Sequence, residues 1–88
     1  MTPELETLDQ LLDGDLSMEV IRTLYPDADA FKRGVFGLLS CGDVRLLMID
    51  QSEVPKWRWR ELFAEGTAID EIGEMKLSIT DQGLRRIA

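Results

Sequence analysis

The spacing of apolar residues changes at Gly42, and this change limits the folds that the chain can adopt. Before Gly42, apolar side chains recur every three or four residues, which is the period of helices that pack on a core. After it, residues 44–49 and 75–80 alternate from one face to the other, which is the period of strands. One hydrophobic core accounts for a chain of 88 residues. The sequence therefore predicts a single α+β domain over residues 1–88.

Capping residues bound two predicted helices near the N-terminus. Thr2 can cap the first, over about 3–13, and Gly14 ends it. Ser17 can cap the second, which Pro26 stops. The apolar side chains expected inside are Leu5, Leu8, Leu11 and Leu12 of the first helix, Leu16 as a short extended point, and Val20, Ile21, Leu24 and Tyr25 of the second.

A third helix is predicted from a cap at Asp27 or Asp29 to about Cys41. Glycines inside it, Gly34 and Gly37, each cost about 1 kcal/mol relative to alanine. Two such costs favour the close approach of another backbone, although a merely weak helix also fits. The side chains expected to face the core are Ala28, Phe31, Val35, Leu38 and Leu39.

The two alternating segments are expected to pair as antiparallel strands joined by a long connection. Their inward side chains are Val44, Leu46 and Met48 in the first and Met75, Leu77 and Ile79 in the second. The connection is too long for a bare loop. Its apolar residues Trp59, Leu62 and Phe63 favour a short helix over about 57–65, with Gly66 just past its end.

Two features of the remaining chain complete the predicted elements. Cations and aromatics alternate strictly over 56–60, so a strand there is the alternative to the short helix. Thr80 or Asp81 then caps a last short helix. In that helix, Leu84 and Ile87 are expected to face inward, and Arg85 and Arg86 outward.

Two stretches of the chain resemble the winged helix-turn-helix fold. Residues 38–46, LLSCGDVRL, look like the end of a recognition helix, its glycine and the first wing strand. Residues 77–83, LSITDQG, look like the last wing strand entering the closing helix, a phrase common in bacterial winged-helix regulators. The resemblance implies a three-helix core, an antiparallel β-wing with a long, partly helical insertion, and a short C-terminal helix.

The same resemblance implies a small DNA-binding module of transcription regulation. In such folds the third helix enters the major groove and the wing touches the adjacent backbone. Cations beside aromatic planes suit phosphate contact combined with base stacking. The alternative for the insertion is that Trp59 holds it to the core while the cations cover it with their stems. The candidate nucleic-acid-binding residues are Lys32, Arg33 and Ser40 of the third helix and Lys56, Trp57, Arg58 and Arg60 of the insertion.

The charge pattern keeps a second function open. The chain carries 17 acids against 10 bases, a net charge of −7, and an acidic protein repels nucleic acid at long range. Residues 31–60 are nevertheless basic, with six bases against three acids. The outward face of the third helix offers no Asn or Gln, and Phe36 at its edge suits a protein contact. The alternative is therefore a winged-helix adaptor without intrinsic DNA binding. In either case, a homodimer is left open.

The composition argues against an enzyme and against a bound cofactor or metal. The chain has no histidine, which removes the usual general base and the commonest metal ligand. Its one cysteine, Cys41, can form neither an internal disulfide nor a thiolate zinc cage, and a buried, inert thiol is expected. No apolar run approaches the ~20 residues that span a bilayer. Because the first fifteen residues carry five acids and no base, unlike a signal peptide, we expect a cytoplasmic protein without membrane contact.

Overall fold

The N-terminal half of the chain folds into three helices that begin at capping side chains. In the computed structural model, which describes residues 2–64 and 70–87, these are α1 (Pro3–Leu11), α2 (Met18–Arg22) and α3 (Ala28–Cys41). The side chains of Thr2, Ser17 and Asp27 each accept a hydrogen bond from the backbone N–H three residues later. Each cap satisfies an N–H group that has no partner inside its helix. These local signals place all three helix starts as predicted.

Three short strands form one antiparallel sheet in the order β1–β3–β2. The strands are β1 (Leu16–Ser17), β2 (Val44–Leu47) and β3 (Lys76–Ile79). The predicted pairing of the last two is confirmed, with Val44 opposite Ile79 and Leu46 opposite Leu77. Leu16 lies opposite Leu77 on the other edge of β3. The short extended point expected at Leu16 is therefore a third strand.

The core lies where α1, α2 and α3 cover one face of this sheet. Its fully buried side chains include Leu8, Ile21, Phe31, Leu46 and Leu77. Several side chains expected inside are exposed instead: Leu12, Val20, Ala28, Met48 and Leu84. Leu12 and Met48 are exposed because α1 ends at Leu11 and β2 at Leu47, one residue before each of them. In the five-residue α2, Met18 is buried together with Ile21.

The connection after β2 first folds back on that strand and then forms a short helix. Val54 is buried, and its N–H donates to the Leu46 carbonyl at 2.8 Å. A 3₁₀ turn, Lys56–Arg58, then leads into α4, Trp59–Leu62. A short helix is present, as predicted, and the strand alternative over 56–60 is wrong. The helix is shorter than the predicted 57–65, because residues 57 and 58 lie in the 3₁₀ turn and α4 ends at Leu62. Gly66, expected just past its end, lies outside the described residues. A one-turn helix, α5 (Asp70–Gly73), precedes β3.

The last helix, α6 (Asp81–Ile87), is tied to the end of α3. Thr80 caps α6, since its Oγ1 accepts from the Gly83 N–H at 3.1 Å, and it also donates to the Gly42 carbonyl at 2.6 Å. Asp43 is 0% exposed, and its Oδ2 lies 2.5 Å from Nη1 of Arg86. Arg86 is exposed, as predicted, and its guanidinium also pairs with the buried Asp43. The contacts of Thr80 with Gly42 and of Arg86 with Asp43 hold the C-terminal end of α3 in place.

The two glycines inside α3 have different surroundings. A Cβ at Gly34 would lie 2.5 Å from the Tyr25 ring, so the close neighbour is a side chain and not the predicted backbone. A Cβ at Gly37 would meet nothing within 4 Å. Gly34 therefore makes room for Tyr25, whereas Gly37 faces open space.

No helix among the described residues combines the length and apolar character needed to cross a bilayer.

The buried Tyr25 predicts how stability depends on alkaline pH. Its ring packs edge-on against Phe31, its hydroxyl is hydrogen-bonded to that of Thr7 at 3.2 Å, and burial raises its pKa above 10.0. A raised folded-state pKa stabilises the fold below pH 10, and this contribution is lost as pH rises through the folded value. We expect the melting temperature to be nearly flat from about pH 6 to 8, where few groups titrate, and to fall above about pH 10.

The measurement uses the fact that Tyr25 is the chain's one tyrosine. Tyrosinate absorbance should have its midpoint above pH 10.0 while the domain is folded. In the variant Tyr25→Phe, the melting temperature should fall less at alkaline pH than in the parent protein. The fall that remains in the variant measures the contribution of the other titrating groups. A tyrosinate midpoint at or below 10 in the folded protein would contradict the role of burial.

Candidate nucleic-acid interface

One face of α3 points away from the core. Arg33, Gly37 and Ser40 are exposed on it, and Phe36 is half-buried beside them. Their spacing of three and four residues places all four side by side on one helical stripe. The Phe36 ring makes an edge-to-face contact with the ring of Phe63, with 6.5 Å between ring centroids. The outward face predicted for Arg33 and Ser40 is present in the structure.

Lys32 does not belong to this exposed face. It is only 7% exposed, and its Nζ donates to the Ala64 carbonyl at 3.2 Å. Lysine commonly buries its stem while its ammonium group keeps a polar partner, and here that partner is the backbone two residues past the end of α4. The expectation that Lys32 is presented to a ligand in the same way as Arg33 is therefore corrected.

The segment 56–60 presents its two tryptophans in opposite ways. Trp59 is half-buried against the core, and its indole N–H donates to the Val54 carbonyl at 3.3 Å. Trp57 is 72% exposed. Lys56 and Arg60 are exposed as well, whereas Arg58 is half-buried. Trp59 thus attaches the segment to the core, as the interpretation of Trp59 as an anchor predicted. Trp57 remains on the surface.

These two regions meet in what we call the basic–aromatic groove. A hollow of about 760 Å³ is lined by Phe36, Ser40, Lys56, Trp57, Trp59 and Arg60. A second hollow of about 350 Å³ is lined by Lys32, Arg33, Phe36, Gly37, Arg60 and Phe63. The two share Phe36 and Arg60, so they adjoin along α3. The structure thus brings together six of the seven predicted site residues, and Arg58 lies outside the lining.

The charge of the groove is opposite to that of the chain. Four of the chain's 10 bases line it, namely Lys32, Arg33, Lys56 and Arg60, and none of the described lining residues is acidic. Glu61, next to Arg60, is the nearest acid along the sequence, and Asp29, Asp43 and Glu53 each lie three residues from a lining residue. A local cluster of cations with low-dielectric aromatic walls concentrates positive potential, even on a protein whose net charge is negative.

The cluster around Asp43 was missed by the sequence analysis. Gln82 donates from Nε2 to Asp43 Oδ1 at 3.3 Å and also to the Cys41 carbonyl, and Arg86 completes the contacts of the carboxylate. The hydrogen-bonded ion pair raises the pKa of Arg86 above its ordinary value. No short-range signal marks Asp43, because its partners come from α6, about 40 residues later. The cluster positions the end of α3, and hence Ser40, at one end of the groove.

The thiol of Cys41 departs from expectation. Cys41 is exposed, and the prediction of a buried thiol is wrong. It is the last residue of α3, which ends at the left-handed Gly42, at a φ of 82°. α6 contacts Cys41 at its carbonyl, which accepts from the Gln82 amide, and at its side chain, which interacts with Arg86. Cys41 does not line the groove.

The side chains of this surface offer contacts for phosphate and for planar groups. Cationic side chains bind phosphate, exposed aromatic rings stack on planar groups, and Ser40 can donate or accept a hydrogen bond. Within residues 2–64 and 70–87, no group of three acidic or cysteine side chains could hold a metal ion. Comparison with models of protein families, with curated proteins and with solved structures finds no match to this chain.

Proposed function

We propose that the chain is a small winged-helix module that binds DNA through the basic–aromatic groove. The observation that carries the proposal is the convergence of α3 and the segment 56–60 on one surface, where cations and aromatic rings replace the acids found elsewhere. In this assignment α3 is the recognition helix, and the segment 56–60 belongs to the wing. The element order and the antiparallel sheet support the winged-helix assignment.

The geometry suits a helix that approaches a duplex with its outward face. Arg33 and Ser40 lie seven residues apart on α3, which spans about 10 Å along the helix axis. Arg33 can contact guanine or phosphate, and Ser40 can contact either. Lys56 and Arg60 rise beside this face from α4 and the turn before it, where they can reach the neighbouring phosphates. Cytoplasmic transcription regulation is the role that this proposal implies.

Salt dependence of binding to a blunt, mixed-sequence duplex tests the proposal. Arg33, Lys56 and Arg60 are the exposed cations of the groove. Three phosphate contacts give a slope of about −2.7 in a plot of log affinity against log salt, so affinity should fall roughly 40-fold between about 50 and 200 mM salt. The variant Arg60→Ala should make this slope shallower by about 0.9, because one phosphate contact is lost.

The second candidate function is protein contact through the same groove. It is favoured by the large exposed fraction of Trp57 next to the half-buried Phe36, since aromatic residues are enriched at protein interfaces. The duplex titration separates the two functions. Binding with the expected salt slope supports the DNA module, and no detectable binding at about 50 mM salt would overturn it in favour of the adaptor.

A further inference from the structure

Trp57 is exposed although the backbone that carries it is firmly held. Two residues before the 3₁₀ turn, Val54 is buried and hydrogen-bonded to Leu46. Two residues after Trp57, Trp59 packs on the core and donates to the Val54 carbonyl. Exposing a large apolar ring to water is unfavourable, and the backbone that carries this ring is held on both sides. Its burial by a ligand therefore recovers apolar contact without the cost of ordering that backbone.

The neighbours of Trp57 indicate which ligand would cover it. The larger hollow combines Trp57 with the rings of Phe36 and Trp59, and Lys56 and Arg60 are its cations. A planar ring next to a negative charge matches this combination, and a nucleotide carries both. Stacking on an aromatic side chain requires an unpaired base, because the faces of paired bases inside a duplex are covered by their neighbours.

We propose that the larger hollow of the groove is a binding site for an unpaired nucleotide, with Trp57 as its stacking platform and Lys56 and Arg60 as its phosphate contacts. The inference deepens the proposed function, on which it rests, by naming the class of DNA that the groove prefers. A duplex that ends in a single-stranded overhang would place its helical part against α3 and its first unpaired bases on Trp57.

Affinity for three DNA ligands tests the stacking site. The probes are a blunt duplex, the same duplex with a four-nucleotide thymidine overhang (at the 5′ or the 3′ end), and the same duplex with an abasic overhang of equal charge. Stacking of one base should raise affinity for one of the thymidine overhangs over the blunt duplex by about 5- to 150-fold. The abasic overhang should lack most of this gain, because it offers phosphates but no ring.

Variants of Trp57 separate stacking from a structural role. Trp57→Ala should lose the gain in affinity that the thymidine overhang gives over the blunt duplex, whereas Trp57→Phe should keep much of that gain. Because Trp57 is exposed, neither change should move the melting temperature appreciably. Quenching of tryptophan fluorescence by the thymidine overhang, and its absence in Trp57→Ala, would report the same contact directly.

The possible failures of this experiment are distinguishable. If thymidine and abasic overhangs bind equally, phosphates alone account for the contact and the stacking site is overturned, while the DNA module stands. If blunt and overhanging duplexes bind equally, the stacking site is likewise overturned. If no DNA binds, both proposals fall and the groove is assigned to protein contact.

Discussion

Replacing Asp43 with alanine is expected to lower the free energy of unfolding by about 3 kcal/mol. The carboxylate is 0% exposed and accepts hydrogen bonds from Arg86 and Gln82. Removing one partner of a buried, hydrogen-bonded pair costs about 3–5 kcal/mol. The lower end applies here because Arg86 is half-exposed and can be hydrated once the carboxylate is gone. The void left at a fully buried position adds to the cost.

Urea or thermal unfolding measures this effect, with two comparisons. Asp9→Ala removes a carboxylate from the exposed side of α1 and should change stability by no more than about 0.5 kcal/mol. Asp43→Asn retains the shape and one acceptor oxygen, so its loss should be smaller than that of Asp43→Ala. Equal effects of Asp43→Ala and Asp9→Ala would show that the buried pair contributes nothing to the fold.

Replacing Gly83 with alanine should destabilise the domain by about 2–3 kcal/mol, as overpacking of a closed contact does. A Cβ at this position would lie 2.2 Å from the Asp43 carbonyl oxygen and 2.8 Å from Cγ1 of Ile79. The carbonyl cannot retreat without losing its hydrogen bond from the Thr80 N–H, at 3.0 Å. The contact therefore outweighs the ~1 kcal/mol by which alanine favours a helix over glycine.

The matched control for Gly83→Ala is Gly37→Ala. Both glycines lie in helices, but a Cβ at Gly37 would meet nothing within 4 Å. Gly37→Ala should therefore stabilise the domain by about 0.5–1 kcal/mol. The two substitutions are expected to shift the unfolding midpoint in opposite directions. Stabilisation by Gly83→Ala would contradict the close approach of α6 to the end of α3.

The elements that the sequence predicted well depend on neighbouring residues. The caps at Thr2, Ser17 and Asp27 act on N–H groups three residues away, so they are visible in a short window of sequence. The pairing of β2 with β3 follows from alternation, because a slip of one residue would turn Leu46 and Leu77 to the wrong face. Such signals need no knowledge of the rest of the fold.

The candidate site was predicted only in part, because the sequence reveals contacts between neighbouring residues but not between distant segments. Helical spacing placed Arg33 and Ser40 on the outward face of α3. Burial of Lys32 depends on Ala64, 32 residues later, and burial of Asp43 depends on Arg86, 43 residues later. Val20 is exposed because α2 turns Met18 and Ile21 towards the core. Contacts between distant segments leave no periodic signal in either segment, so these side chains were misplaced or missed.

Charge reversal within and outside the groove tests the central claim most directly. Lys56→Glu/Arg60→Glu reverses two cations that line the groove, and Arg22→Glu/Arg85→Glu reverses two exposed cations that do not. Both double variants change the net charge equally. The measurement is the affinity for a blunt duplex at about 50 mM salt, after unfolding curves show both variants folded. The groove variant should lose affinity on the order of 100-fold, and the control only a few-fold. Equal losses would contradict the claim that the groove binds DNA.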